Sequence, residues 1–233
     1  MPPATPGGVW TDDQLYTFGL TQGEKPEAGV VSEGGYLFGT TFSAGDQYCG
    51  CGTVYELTPP ATHGGTWTET TIHTFTGPDG AYSEAPLTVG PGGLLYGTTA
   101  DGGSAACGCG TVFQLTPPSA PGGAWTESVI YSFTGSNGDG SGPVESVVVG
   151  QNGALYGTTV GGGSANLGTV FKLTPPTVTG GVWTETVLHS FTGQNGDGAT
   201  PVAALALGST GVLYGTTSEG GTAGKGTVFA VAP

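Results

Sequence analysis

Short runs that alternate between apolar and polar residues recur along the whole chain, and glycine, proline or aspartate bounds each run. Between residues 67 and 116, Trp67–Phe75 alternates and Ala85–Val89 is short and apolar. Leu94–Thr99 then follows a glycine-rich hairpin, and Thr111–Thr116 ends at two prolines. Four short runs separated by turn residues, with no segment of helical periodicity, predict an all-β fold with four strands per unit.

This unit repeats four times. Each copy opens with a tryptophan, at Trp10, Trp67, Trp125 and Trp183. A Gly-Thr-Val-aromatic motif recurs every 58 residues, at Gly52, Gly110, Gly168 and Gly226. We therefore assign one domain over residues 1–233, with repeats at approximately 9–65, 66–123, 124–181 and 182–233. A fixed period of this length is typical of a propeller or a solenoid.

The phase of the repeat favours a closed ring. The chain begins with a strand that has no sheet of its own, and it ends after Gly226–Phe229, where the last sheet lacks its outermost strand. Pairing these two strands removes both open edges, whereas a solenoid would need atypical capping repeats. The sequence predicts a four-bladed β-propeller with four antiparallel strands per blade, closed by the N-terminal strand pairing into the last blade. We expect a monomer.

Charge excludes two classes of partner. The chain has 17 acidic residues against three lysines and no arginine, a net charge of −14. No basic patch for nucleic acid or an anionic membrane can be assembled from these residues. No apolar signal region and no membrane-length apolar run is present. The few charges and the Thr, Ser and Gly polarity favour a secreted or cell-surface protein.

The repeated LYGTT and GTVFxLTP motifs carry a family resemblance. They are found at Leu95–Thr99 with Gly110–Pro117, at Leu155–Thr159 with Gly168–Pro175, and at Leu213–Thr217 with Gly226–Phe229. The first copy differs, with Leu37-Phe38-Gly39 and Tyr55. This pattern resembles the GloVer repeat of choice-of-anchor tandem repeat proteins, which implies a bacterial surface protein. We expect its signal and sorting anchor to lie outside this chain, since none follows Pro233.

Three glutamates occupy similar repeat positions, Glu27, Glu84 and Glu145, where the innermost strands begin. In a propeller they would surround the mouth of the central channel. Crowded carboxylates either have raised pKa values or recruit a cation. The alternative is that they splay into solvent.

The loops after the outer strands contain Asp79, Asp139 and Asp197 beside asparagine and glycine. Carboxylate and carbonyl oxygens are the ligands of Ca²⁺, so these loops are candidate calcium sites. Asn-Gly and Asp-Gly are also common turn formers, and turn formation is the competing interpretation.

The cysteines form two Cys-Gly-Cys pairs, Cys49 with Cys51 and Cys107 with Cys109. We favour one local disulfide in each pair, which would agree with export. Free thiols and a shared metal are the alternatives, although the spacing differs from the usual zinc pattern.

The four tryptophans, Trp10, Trp67, Trp125 and Trp183, either stack on sugar rings or pack between blades. The glycines of the LYGTT runs and of the first copy, Gly39, Gly97, Gly157 and Gly215, are expected to allow close backbone approach where blades converge.

Catalytic signatures are weak. No G-x-S-x-G motif is present, and His63 lies in a turn. His73 and His189 replace Tyr16 and Tyr131 of the other repeats, which indicates a tolerant packing position rather than a general base. We therefore expect a non-enzymatic, extracellular, carbohydrate-binding (lectin-like) module that presents either a cation-dependent face, with Ca²⁺, or an acidic face to its ligand. The alternatives are a polysaccharide hydrolase or lyase that uses the channel-mouth carboxylates, and a structural or adhesive repeat domain.

Overall fold

The regular structure of this protein is almost entirely β-strand. The computed structural model describes residues 8, 12–19, 21–62, 64–120, 122–178 and 180–233. Within these ranges the helices are two single 3₁₀ turns, Pro91–Gly93 and Gln151–Gly153. None of the described helices is long and apolar enough to cross a membrane. The prediction of an all-β fold is confirmed.

Three antiparallel sheets have four strands each, in chain order. The first comprises β1 (Val31–Glu33), β2 (Tyr36–Thr41), β3 (Thr53–Thr58) and β4 (Thr68–Thr74). The second comprises β5 (Thr88–Val89), β6 (Leu95–Thr99), β7 (Thr111–Thr116) and β8 (Thr126–Ser132). The third comprises β10 (Val148–Val149), β11 (Leu155–Thr159), β13 (Thr169–Thr174) and β14 (Thr184–Ser190).

The remaining strands are short or belong to the last sheet. Two-residue strands pair in the loops, β9 (Gly140–Ser141) with β12 (Gly161–Gly162), and β15 (Gly198–Ala199) with β18 (Glu219–Gly220). The last sheet has three strands, β16 (Ala206–Leu207), β17 (Leu213–Thr217) and β19 (Thr227–Val231). All four strands predicted between residues 67 and 116 are present, although the second is shortened to Thr88–Val89.

The predicted pairing of the N-terminal strand with the last sheet is not found among the described residues. Residues 12–19 form no strand, and β19 pairs only with β17. Val228 on β19 is 83% exposed, whereas Val54, Val112 and Val170 at the same repeat position are fully buried. The difference arises because a following sheet covers the first three valines.

One aromatic contact recurs between successive sheets. The phenylalanine that follows each outer strand meets, edge to face, an aromatic ring on the third strand of the next sheet. The ring centroids are about 5 Å apart in Phe75–Phe113, Phe133–Phe171 and Phe191–Phe229. Phe18 packs against Tyr55 in the same way, at 4.8 Å. The 58-residue sequence period therefore corresponds to one repeated sheet–sheet boundary.

The LYGTT and GTVF motifs are complementary across neighbouring strands. Gly97 pairs with Phe113, and a Cβ at Gly97 would lie 2.3 Å from the Phe113 ring. The expectation that these glycines allow backbone approach between blades is wrong, because an aromatic ring of the adjacent strand fills the space. Two positions from this pair along the same two strands, Thr99 and Thr111 share a buried hydroxyl–hydroxyl hydrogen bond of 2.8 Å.

Candidate functional site

Each of the first two boundaries between successive sheets brings together three polar side chains. One comes from the end of an outer strand, one from the loop that follows it, and one from the outer strand of the next sheet. At the first boundary, His73, Asp79 and Glu127 each place a ligand atom within 4.8 Å of the others. His73 Nε2 lies 3.1 Å from Asp79 Oδ2.

The second boundary has a tyrosine in place of the histidine. Burial and the negative charges of Asp139 and Glu185 raise the pKa of Tyr131 above its usual range. At the end of the third sheet, His189 Nε2 lies 3.1 Å from Asp197 Oδ1. No third carboxylate reaches this pair among the described residues, because the next outer strand is missing there.

The three loop aspartates hold their own turns. Asp79 Oδ1 accepts hydrogen bonds from the backbone N–H and hydroxyl of Thr76, at 2.8 and 3.0 Å. Asp139 and Asp197 accept the same pair of bonds from Thr134 and Thr192. This geometry is that of a turn former, and it leaves the other oxygen of Asp79 facing the histidine.

Burial shifts the ionisation of the boundary groups. It raises the pKa of Glu127 to about 7, with a further contribution from the charge of Asp79. Burial likewise raises the pKa of Glu185 to about 7, aided by Asp139. It lowers the pKa of His73, although Asp79 opposes that shift. Oε1 of each of the two glutamates is buried without a hydrogen-bond partner. At pH 7 His73 is therefore mainly neutral.

Sequence reasoning missed Glu127 and Glu185 and treated His73 and His189 only as packing residues. A signal was present, because a carboxylate follows each later tryptophan by two residues, in Trp67-Thr68-Glu69, Trp125-Thr126-Glu127 and Trp183-Thr184-Glu185. Strand alternation placed these glutamates with solvent-facing residues, since the pattern does not show that the next sheet covers them.

Trp125 and Trp183 lie in clefts at the same two boundaries. Trp125 is partly buried, with its ring centroid 5.4 Å from that of Phe38, and lines a cleft of about 500 Å³ with Tyr36 and Glu56. Trp183 lines an equivalent cleft of about 470 Å³ beside Tyr96 and Gln114. Each indole therefore packs against the core and also borders an open cleft.

The Trp67 cleft is larger than the other two. It measures about 1050 Å³ and is lined by Asp12, Leu15 and Pro60 of the preceding segment. Trp10 and His63 lie outside the described residues.

The predicted glutamates form a row across successive repeats. Burial raises the pKa of Glu84, and the charge of Glu27 adds to the shift. Burial also raises the pKa of Glu145, with a contribution from Glu84, while a backbone hydrogen bond from Ala204 lowers it. The charge of Glu27 thus raises the pKa of Glu84, and the charge of Glu84 raises the pKa of Glu145. The fourth repeat has Ala203 at this position, so the row ends there.

The two cysteine pairs are local. Cys49 and Cys51 are at disulfide distance, with Cα atoms 5.2 Å apart, and Cys107 and Cys109 have the same Cα separation. They lie in corresponding loops of the first and second sheets.

These features define an all-β tandem repeat protein with a recurrent polar boundary between its sheets. The model of the Gloeobacter/Verrucomicrobia repeat matches residues 106–233, more than half of the chain. The chain belongs to this bacterial repeat family. No curated protein matches the chain significantly.

Proposed function

We propose that this chain is a multivalent carbohydrate-binding module that works outside the bacterial cell and has no catalytic activity. The observation that carries the proposal is that the tryptophan cleft recurs. The indole of Trp125 lines the cleft at the first sheet boundary, and the indole of Trp183 lines the cleft at the second. An indole face suits the apolar face of a pyranose, and polar side chains at the rim supply hydrogen bonds.

The walls of the Trp125 cleft favour a sugar over a purely apolar ligand. Glu56, Thr58 and Thr70 line it together with the rings of Trp125 and Tyr36. Hydroxyl and carboxylate groups beside aromatic rings match the alternating polar and apolar surface of a saccharide. The Trp183 cleft repeats the arrangement with Gln114 as its amide group.

We also propose that the protein is a four-bladed propeller and that it is exported from the cell. Its four sheets are four blades of a propeller, in which the segment that includes residues 12–18 pairs with the outer edge of β19. Export is supported by the two local cysteine pairs, since disulfides persist in oxidising compartments. Ca²⁺ at the aspartate loops is the cation expected to support ligand binding.

The first test is a glycan and polysaccharide array with purified protein, run in parallel with Ca²⁺ and with EDTA. A ligand found there is then titrated calorimetrically against Tyr36→Ala and Tyr48→Ala. Both tyrosines are exposed, but Tyr36 borders the Trp125 cleft whereas Tyr48, at 88% exposure, is absent from its lining.

We expect Tyr36→Ala to weaken binding by about tenfold and Tyr48→Ala to leave it unchanged. Loss of binding in EDTA would support the cation requirement. Absence of binding under both conditions, or equal effects of the two substitutions, would overturn the cleft assignment. Release of new reducing ends would favour a hydrolase instead.

A further inference from the structure

The first sheet–sheet boundary contains a nitrogen ligand and two carboxylates from three separate segments. His73 ends β4, Asp79 lies in the following loop, and Glu127 lies on β8 of the next sheet. We propose that His73, Asp79 and Glu127 bind a divalent transition metal ion, for which Zn²⁺ is the suitable probe, and that the ion ties the first sheet to the second.

The geometry suits a small tetrahedral site. Zinc bonds of about 2.0–2.2 Å to nitrogen and oxygen place neighbouring ligand atoms roughly 3.4 Å apart. His73 Nε2 and Asp79 Oδ2 are already 3.1 Å apart, and all three ligand atoms lie within 4.8 Å. To bring its carboxylate to the same separation, Glu127 has to move towards His73 and Asp79. Its Oε1 has no hydrogen-bond partner among the described residues that would oppose this movement.

The donor set selects against calcium at this position. Ca²⁺ takes oxygen ligands, whereas an imidazole with carboxylates suits zinc and similar ions. Asp79 is one of the three loop aspartates that the sequence offers as calcium ligands, and at this loop His73 favours a transition metal instead. The zinc site does not depend on sugar binding.

The chain provides its own control at the second boundary. Tyr131, Asp139 and Glu185 occupy the positions of His73, Asp79 and Glu127, so only the nitrogen ligand is missing. Tyrosine is therefore structurally acceptable at this strand position, and histidine introduced there would complete a second set of ligands.

The experiment measures Zn²⁺ bound per untagged chain by equilibrium dialysis and elemental analysis, with competition by EDTA. It compares wild type, His73→Tyr and Tyr131→His, after circular dichroism shows that all three are folded. Substitution of Asp79 is avoided because its carboxylate also holds the turn at Thr76.

We expect one tightly bound Zn²⁺ in wild type, none in His73→Tyr and two in Tyr131→His. Zinc should also raise the melting temperature of wild type but not of His73→Tyr. The proposal is overturned if wild type takes up no zinc at micromolar concentrations, if His73→Tyr binds as wild type does, or if Tyr131→His gains no additional ion.

Discussion

At the scale of single residues, the covered glutamates are the least predictable part of the site. Glu127 and Glu185 occupy polar positions of alternating strands, and alternation normally assigns such positions to solvent. The neighbouring sheet covers that side instead. The turns at the aspartate loops, in contrast, could be predicted from the local sequence, because Asp and Gly determine the turn within a few residues.

Glu185 should make stability depend on pH. Its pKa is about 7 in the folded protein, above the ordinary 4.5, so the folded state holds this proton more tightly. The resulting stabilisation is complete below about pH 4.5 and is lost as pH rises through 7. The Glu185→Gln variant should therefore lose less stability than wild type when the pH is raised from 5 to 8. The midpoints of urea unfolding, measured in EDTA at both pH values, give this loss.

The control for this measurement is Glu33→Gln, which also removes one negative charge but at an exposed position on β1. Its midpoints should follow the wild-type dependence on pH. If Glu185→Gln follows it as well, the carboxyl of Glu185 is not shielded from water in solution.

At the scale of the strand, sequence reasoning located the elements but not the role of their glycines. Alternation and turn residues position β4, β6 and β7 to within a residue or two, because both signals are local. The two-residue strands β9 and β12 carry no such pattern and were not predicted. The space above Gly97 also depends on a partner, Phe113, that lies 16 residues away in the chain.

Gly97→Ala should destabilise the second sheet. The added Cβ would lie 2.3 Å from Cζ of Phe113, which is itself fully buried against Phe75. Overpacking of this kind costs about 1–3 kcal/mol of unfolding free energy. Chemical denaturation measures the loss.

Gly29→Ala serves as the matched substitution, because its Cβ would meet only Pro86 at an ordinary 3.7 Å. It should change the unfolding free energy by less than about 0.5 kcal/mol. Equal effects of the two substitutions would show that ring contact with Gly97 is not what the motif requires.

At the scale of the whole molecule, the two ends of the repeat array are complementary. Phe18 packs on Tyr55 as an outer-strand phenylalanine does, and Tyr16 hydrogen-bonds with Glu69. At the other end, no described residue pairs with the outer edge of β19, and Val228 is exposed. The period was readable from the sequence, whereas the predicted closed ring stays a prediction, because closure depends on the rotation between successive sheets, which side-chain packing determines.

Ring closure can be tested with a cysteine pair. Asp13 and Ala230 correspond to the cross-strand pairs Ser128–Gln114 and Thr186–Lys172 of complete sheets. If the segment that includes residues 12–18 pairs with β19 of the same chain, Asp13→Cys with Ala230→Cys should oxidise to a cross-linked monomer, identified by peptide mass spectrometry. Asp13→Cys with Thr222→Cys, an exposed loop position, should not.

Mixing the two single variants separates closure within one chain from exchange between chains. A ring gives no Asp13→Cys to Ala230→Cys cross-link in the mixture. A covalent dimer there would show that a second copy supplies the missing strand, and the four-bladed ring would be abandoned.

The aromatic contact that recurs between successive sheets also affects how the number of repeats can change during evolution. Loss or gain of 58 residues at any point, by recombination between repeats, joins surfaces that already match. Phe75 would then meet Phe171 as readily as it meets Phe113, since both rings stand at the same place on their strands. In an open array, the number of repeats can therefore change in whole units without a new kind of contact between sheets, whereas closure into a four-bladed ring fixes that number at four.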